Sequence, residues 1–198
     1  MITSIYIDNF KALNDIEIPF SPLTVLIGAN GCGKSTVLQA VDMICRLVKT
    51  DLRNYLNERK WDVADLSSHL NSNRHITFRT MFRLNVAGKT EDIQWEILLH
   101  PVEEKNEIQL TKETVSSVTH GKTLLKTDSQ GFERRNEKSG EMEKFPSLNL
   151  SLSMLSSIDT DKDRETFPAL WALKRFLNGL DSFDLLSTER IRSGSRGT

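Results

Sequence analysis

Leu23-Thr24-Val25-Leu26-Ile27-Gly28-Ala29-Asn30-Gly31-Cys32-Gly33-Lys34-Ser35-Thr36 is the stretch that decides how this chain folds. An apolar run of strand character enters a glycine-rich turn, and the turn enters a segment of helical spacing. Gly28, Gly33, Lys34 and Ser35 fill the fixed positions of the phosphate-binding loop, in the strand–turn–helix context the motif requires. Glycines at 28, 31 and 33 let the backbone turn tightly, so that successive N–H groups converge on phosphate oxygens. Lys34 is placed to meet the β and γ phosphates, and the Ser35 hydroxyl to ligate Mg²⁺. Asn30, Cys32 and Thr36 complete the expected nucleotide contacts, and the dipole of the following helix points at the same anion. The stretch predicts binding of a nucleoside triphosphate with Mg²⁺.

Outward from the turn, Val37, Val41, Ile44 and Val48 recur at helical spacing, which predicts a helix over 34–49. Upstream, residues 2–7 and 15–20 have strand character, so that two short strands precede a third at 23–27. Downstream, residues 50–74 are polar, with Tyr55, Trp61 and Leu66 as isolated anchors in a partly helical insertion or ordered loop. From residue 75 the period changes to two: Ile76, Phe78, Phe82 and Leu84 share one face, and Ile93, Trp95, Ile97 and Leu99 repeat it after a turn at Ala87-Gly88-Lys89. Further strand-like pieces at 107–119, 122–127 and 131–135 are separated by tight turns, the signature of hairpins in an antiparallel sheet. Residues 133–144 are charged and read as an exposed loop. Residues 167–180 return to helical spacing, with Pro168 in the first turn and Asn178-Gly179 as a stop. Residues 184–187 have the look of a further strand.

The net charge of −1 gives no global attraction to nucleic acid, so any DNA contact has to come from a local patch. Arg74, Arg79 and Arg83 near His75, and Arg190, Arg192 and Arg196 in the tail, are the candidates; a solvated strand face and a disordered tail is the favoured reading of them. No run approaches the ~20 apolar residues of a membrane span, and the N-terminus lacks a basic segment followed by an apolar one. A cytoplasmic location and no membrane partner are expected. Cys32 and Cys45 make no disulfide framework, and the four histidines show no metal-ligand spacing with them.

The residues after the loop decide the class of P-loop protein. No Asn-Lys-x-Asp or Thr-Lys-x-Asp is present to read guanine, and Asp128-Ser129-Gln130-Gly131 falls among hairpin turns. An antiparallel sheet after the first helix argues against a small-molecule kinase, where helices and parallel strands would alternate. Ile7-Asp8-Asn9-Phe10-Lys11-Ala12-Leu13, followed by residues 23–40, resembles the opening of the RecF/OLD/SMC-type ABC ATPases: a hairpin carrying Asn-Phe-Lys/Arg, a strand, then Gly-x-Asn-Gly-x-Gly-Lys-Ser. The resemblance covers residues 1–48; beyond that it rests on the order of elements and on Leu186-Ser187-x-Glu189-Arg190. It implies an α/β fold, a P-loop NTPase lobe of the ABC-ATPase type with an inserted antiparallel β-subdomain. It also implies two ATP molecules shared between two subunits, Lys11 as a phosphate contact beside Asn30, and a role in DNA repair or antiviral defence.

The departures from that family shape the expectation as much as the match. No Leu-Ser-Gly-Gly signature is present, and no apolar strand ends in the Asp-Glu pair that would anchor Mg²⁺ and activate water. Leu155-Ser156-Ser157-Ile158-Asp159 is too polar for that strand, and no catalytic residue is identified. The expected layout is 1–50 for the hairpin, P-loop and first helix, 51–74 for the insertion, 75–150 for the β-subdomain, 151–189 for the segment returning to the lobe, and 190–198 for a basic tail. ATP hydrolysis then requires a missing C-terminal half or a second ATPase subunit, with DNA as a candidate partner. The alternative is a non-catalytic module in which bound nucleotide drives regulation or assembly.

Overall fold

Two long stretches of alternating apolar and polar residues build the backbone of the structure. The computed structural model describes residues 1–68, 75–129, 131–146 and 151–180. Strand β1 (Ile2–Asp8) pairs with β2 (Ile16–Pro19) on one side, and on the other with β3 (Ile76–Val86). Then β4 (Lys89–Val102), β5 (Glu107–Ser117), β6 (Lys122–Asp128), β7 (Gly131–Arg135) and β8 (Met142–Phe145) add in sequence order. Every pair is antiparallel, in the order β2-β1-β3-β4-β5-β6-β7-β8. The strands expected as an inserted subdomain therefore continue the sheet that the N-terminal hairpin begins.

One face of this sheet is apolar and covered, the other polar, as antiparallel sheets permit. Ile76, Phe78, Phe82, Leu84, Ile93, Trp95, Ile97 and Leu99 are all buried, as the period-two reading predicts. Over them lie α1 (Lys34–Arg46), α2 (Leu52–Arg59) and α3 (Pro168–Asn178). Helix α1 sinks Val37, Ala40, Met43 and Ile44 into the same core, and α3 packs Leu170, Leu173 and Leu177 there, with Phe176 edge-on to Phe82. A buried carboxylate fastens the next layer to the sheet. Glu113, on the inner face of β5, accepts hydrogen bonds from Trp95 Nε1 (2.9 Å), Ser153 Oγ and the Met154 amide (2.7 Å). Burial raises its pKa, opposed by these donors.

Two expectations are corrected. Residues 133–144 are not a loop: β7 and β8 pair there, with Glu133 opposite Lys144 and Arg134 opposite Glu143. Both pairs are ion pairs at 2.9 Å beside the stacked cross-strand pair Phe132–Phe145, so charged residues dominate this edge and leave little apolar alternation to read. Residues 23–27 are not a strand of the sheet, and among the described residues the backbone of 24–27 makes no hydrogen bond to another backbone group. Leu23, Val25 and Ile27 are 81%, 70% and 88% exposed. Arg74, the strand-like segment 184–187 and the tail 190–198 lie outside the described residues.

Helix α3 starts without a side-chain cap of its own, and the turn between β7 and β8 supplies one. Glu137 Oε1 accepts from the Ala169 amide at 3.0 Å, and the Glu137 amide donates to Thr166 O. Burial, with the charge of Glu91 adding to it, pushes the Glu137 carboxyl up to about 7. A carboxyl whose folded pKa lies above its unfolded value binds more protons in the native state, so stability falls as pH rises through that window. The melting temperature is expected to decline between pH 4.5 and 7, and Glu137→Gln to remove part of that decline. Identical profiles for the two proteins would contradict the assignment.

Candidate nucleotide site

The phosphate turn hangs from the N-terminal end of α1. Gly33, at the helix N-cap, has φ 93°, a left-handed conformation that a side chain strains, and no side chain caps the helix. The first amides of α1 are thus left for an outside acceptor, the arrangement that binds anions at helix N-termini. Lys34 folds back across the turn, its Nζ 2.9 Å from Gly28 O and 2.6 Å from Ala29 O. Cys32 Sγ, at 3.6 Å, is a weak third acceptor. Two donors of the ammonium are held by carbonyls, and the third is the one a phosphate oxygen would take.

Asn30, Gly31, Gly33, Lys34, Ser35 and Thr36 line one open groove of about 760 Å³, and its other wall is apolar: Phe20, Val25, Leu26 and Leu38. Gly28 and Cys32 join the group through their contacts with Lys34. No aspartate or glutamate among the described residues lines the groove. Among the described residues no cluster of three or more His, Cys, Asp or Glu side chains could hold a metal, which leaves the Ser35 hydroxyl as the candidate Mg²⁺ ligand.

The Asn-Phe-Lys corner is a tightly determined turn beside that groove. Asn9 is buried with φ 58°; its Nδ2 donates to His75 O (2.9 Å), and its Oδ1 accepts from the Ser68 amide (3.0 Å). Phe10 lies in the core, edge-on to Phe78. Leu13 closes the corner by backbone hydrogen bonds with Phe10, and it seats against the phosphate turn: a Cβ added at Gly33 would lie 3.2 Å from Leu13 Cδ2.

Lys11 is not brought to the groove. Its Nζ donates to Gln39 Oε1 on α1 (3.0 Å) and sits 3.3 Å from the centroid of the Trp61 ring. Trp61 packs edge-on to Tyr55, whose hydroxyl donates to buried Asp42 on α1 (2.9 Å), and Arg59 pairs with the same carboxylate. This network escaped the sequence reading because its members lie on three separate segments; the isolated aromatics Tyr55 and Trp61 were its one visible trace. The strand-face arginines are also reassigned. Arg79 pairs with Glu96 (3.2 Å), which Lys112 shares, and Arg83 with Asp92 (2.8 Å), so these two arginines are not free charges of a basic patch. Gln94 alternates onto the same outer face.

Residues 1–195 match the AAA ATPase domain. The chain belongs to that family. This ATPase domain is 31% identical over 112 residues to an OLD nuclease of Thermus scotoductus, an alignment taking in 52% of this chain and 21% of the nuclease. It therefore spans about a fifth of that relative's length. A solved structure from work on ATP-driven dimerization and DNA stimulated activation of SMC ATPases is 17% identical, covering 62% of this chain and 70% of that one at a TM-score of 0.42. The resemblance to RecF/OLD/SMC-like P-loop ATPases drawn from the sequence is borne out, as is a mixed α/β fold with an antiparallel sheet.

The contact between the corner and the turn can be tested at two glycines. Gly31 (φ 80°) has open space where a Cβ would go, whereas Gly33 meets Leu13. Alanine at either position incurs the left-handed strain of about 1–2 kcal/mol, and Gly33→Ala adds about 1 kcal/mol or more of crowding. Urea unfolding should rank Gly33→Ala clearly below Gly31→Ala; equal losses would mean that Leu13 does not brace the turn.

Proposed function

We propose that this chain is the ATP-binding lobe of an ABC-type ATPase of the RecF/OLD/SMC kind, acting in DNA maintenance or in defence against foreign DNA. The observation that carries the reading is the Lys34 ammonium held across a glycine turn by two carbonyls, at the uncapped start of α1. ATP phosphates would take the amides of that turn and the remaining Lys34 donor, and Mg²⁺ would sit between them and the Ser35 hydroxyl. Mg²⁺, when bound, supplies charge neutralisation at the β and γ oxygens.

Hydrolysis needs a carboxylate to orient water and hold the metal, and none lines the groove among the described residues. That carboxylate would come from a further part of the polypeptide or from a second ATPase subunit. The exposed Leu23, Val25 and Ile27 support the same reading, because an apolar run leading into a P-loop is otherwise the natural core strand of such a lobe. The empty acidic position equally favours a second reading, a module in which nucleotide binding alone drives assembly with a partner. DNA contact, on either reading, would be weak and strongly salt-dependent, since the strand-face arginines are already paired.

Mg²⁺·ATP should raise the melting temperature, by about 2.7 kcal/mol of stabilisation at a hundredfold excess over Kd, and Lys34→Ala should remove most of that shift. The 198-residue chain should release phosphate no faster than Lys34→Ala and should form no ATP-dependent dimer in sedimentation. An undiminished shift in Lys34→Ala would overturn the site. Turnover well above that control would show a catalytic carboxylate within the chain.

A further inference from the structure

We propose that the groove between α3 and the end of β3 is a docking site for a partner protein, which inserts a short segment carrying carboxylates beside an apolar side chain. The groove has a volume of about 420 Å³ and shares no lining residue with the nucleotide groove. Leu84, Ala172, Phe176 and Leu180 make it apolar, while Trp171, Arg175 and Asn85 supply its polar groups.

Two guanidiniums are gathered on one indole at its rim. Trp171 and Arg175, four residues apart, fall on the same face of α3. The indole Nε1 donates to Thr160 O (2.7 Å), which ties Trp171 to the segment that carries Arg164. Arg164 and Arg175 lie over the Trp171 ring, 5.2 and 5.1 Å from its centroid, and hence within about 10 Å of each other, about one screening length at 0.1 M salt. Neither has a carboxylate partner among the described residues, and in this they stand apart. Arg46, Arg53, Arg59, Arg79, Arg83 and Arg134 all pair with carboxylates, and Arg135 donates to the carbonyls of Thr123 and Gly140. Two like charges held together with no acid between them form a receptor for an anion.

The surroundings select the kind of anion. Residues 159–165 also carry Asp159, Asp161, Asp163 and Glu165, against Lys162 and Arg164, a local excess of negative charge that disfavours the long phosphate track of a nucleic acid. With two guanidiniums already over it, the Trp171 ring is a poor platform for a stacked base. A peptide carboxylate asks less: one guanidinium holds it bidentately, and an apolar neighbour fills the floor of the groove. Asn85 Oδ1 accepts from the Gly88 amide (3.0 Å), which leaves the Asn85 NH₂ to donate to a peptide carbonyl. Tryptophan and arginine around an apolar pocket are also the residue types that carry most of the energy in protein–protein contacts.

The test is selection from a random-peptide display library on the full chain, followed by fluorescence anisotropy of the selected peptides with wild type, Arg164→Gln and Arg175→Gln. Selected sequences should set Asp or Glu beside Leu, Ile or Phe, and each arginine variant should bind them about tenfold more weakly, the scale of a lost charge-assisted hydrogen bond. Both arginines are exposed, so neither substitution should shift the melting temperature, and weakened binding then reads the site and not the fold. Failure to select any peptide, selection of peptides without acidic residues, or unchanged affinity in both variants overturns the proposal. Displacement of the peptide by an equimolar oligothymidylate would make the patch a nucleic-acid site. Self-association in sedimentation that Arg175→Gln abolishes would make the occupant a second copy of the chain. Either result also overturns the proposal.

Discussion

Helix α1 is bound by a double requirement on which the rest of the site depends. It must bury Val37, Ala40, Met43 and Ile44 on the sheet, and it must keep its first turn uncapped in solvent. The two demands are met on different lengths of the same 13-residue helix. The burial fixes its position, and the hairpin corner meets its N-terminal half through Leu13 beside Gly33 and Lys11 on Gln39. The eight antiparallel strands provide the broad apolar face that makes the burial possible, and Asp42 with Tyr55 and Arg59 locks α2 beneath. Removing polar capping from a helix end is unfavourable in isolation, so an uncapped N-terminus bordered by three glycines is a feature that packing elsewhere has to sustain.

The described part of this site offers the chemistry of phosphate binding. A pinned lysine, open amides and one hydroxyl are groups that can hold a triphosphate and its metal. The groove's other wall, built from Phe20, Val25, Leu26 and Leu38, is apolar and open.

How much of this is legible in the sequence depends on which interactions are local. The P-loop motif is contiguous, so the glycine turn and the helix that follows it can be read directly from residues 28–36. The half-buried sheet is equally legible, because Ile76 to Leu84 and Ile93 to Leu99 alternate in step with their burial. Strand β8 is not, since its pairing with β7 rests largely on Glu133–Lys144 and Arg134–Glu143, with the Phe132–Phe145 stack as the lone apolar pair on the register. Residues 23–27 carry the right pattern for a buried strand yet find no backbone partner among the described residues: propensity specifies an edge and not its neighbour. The motif around Lys11 points it toward phosphate; the competing partner, Trp61, lies fifty residues away and only the fold brings it near. Glu113 gives one easily overlooked signal, a charged residue at an inward position in the row that ends at Val115.

Recognition through the phosphates at residues 28–36 is the property from which the other assignments derive. Calorimetric titration of the chain with ATP, ADP and AMP in the presence of Mg²⁺ tests it without intermediaries. A site built from turn amides, Lys34 and a Ser35-bound metal predicts one molecule per chain, with ATP and ADP at least about tenfold tighter than AMP, since each charge-assisted contact to a phosphate is worth about 1.5–3 kcal/mol. Equal affinity for all three nucleotides, or tight binding of AMP alone, would contradict it.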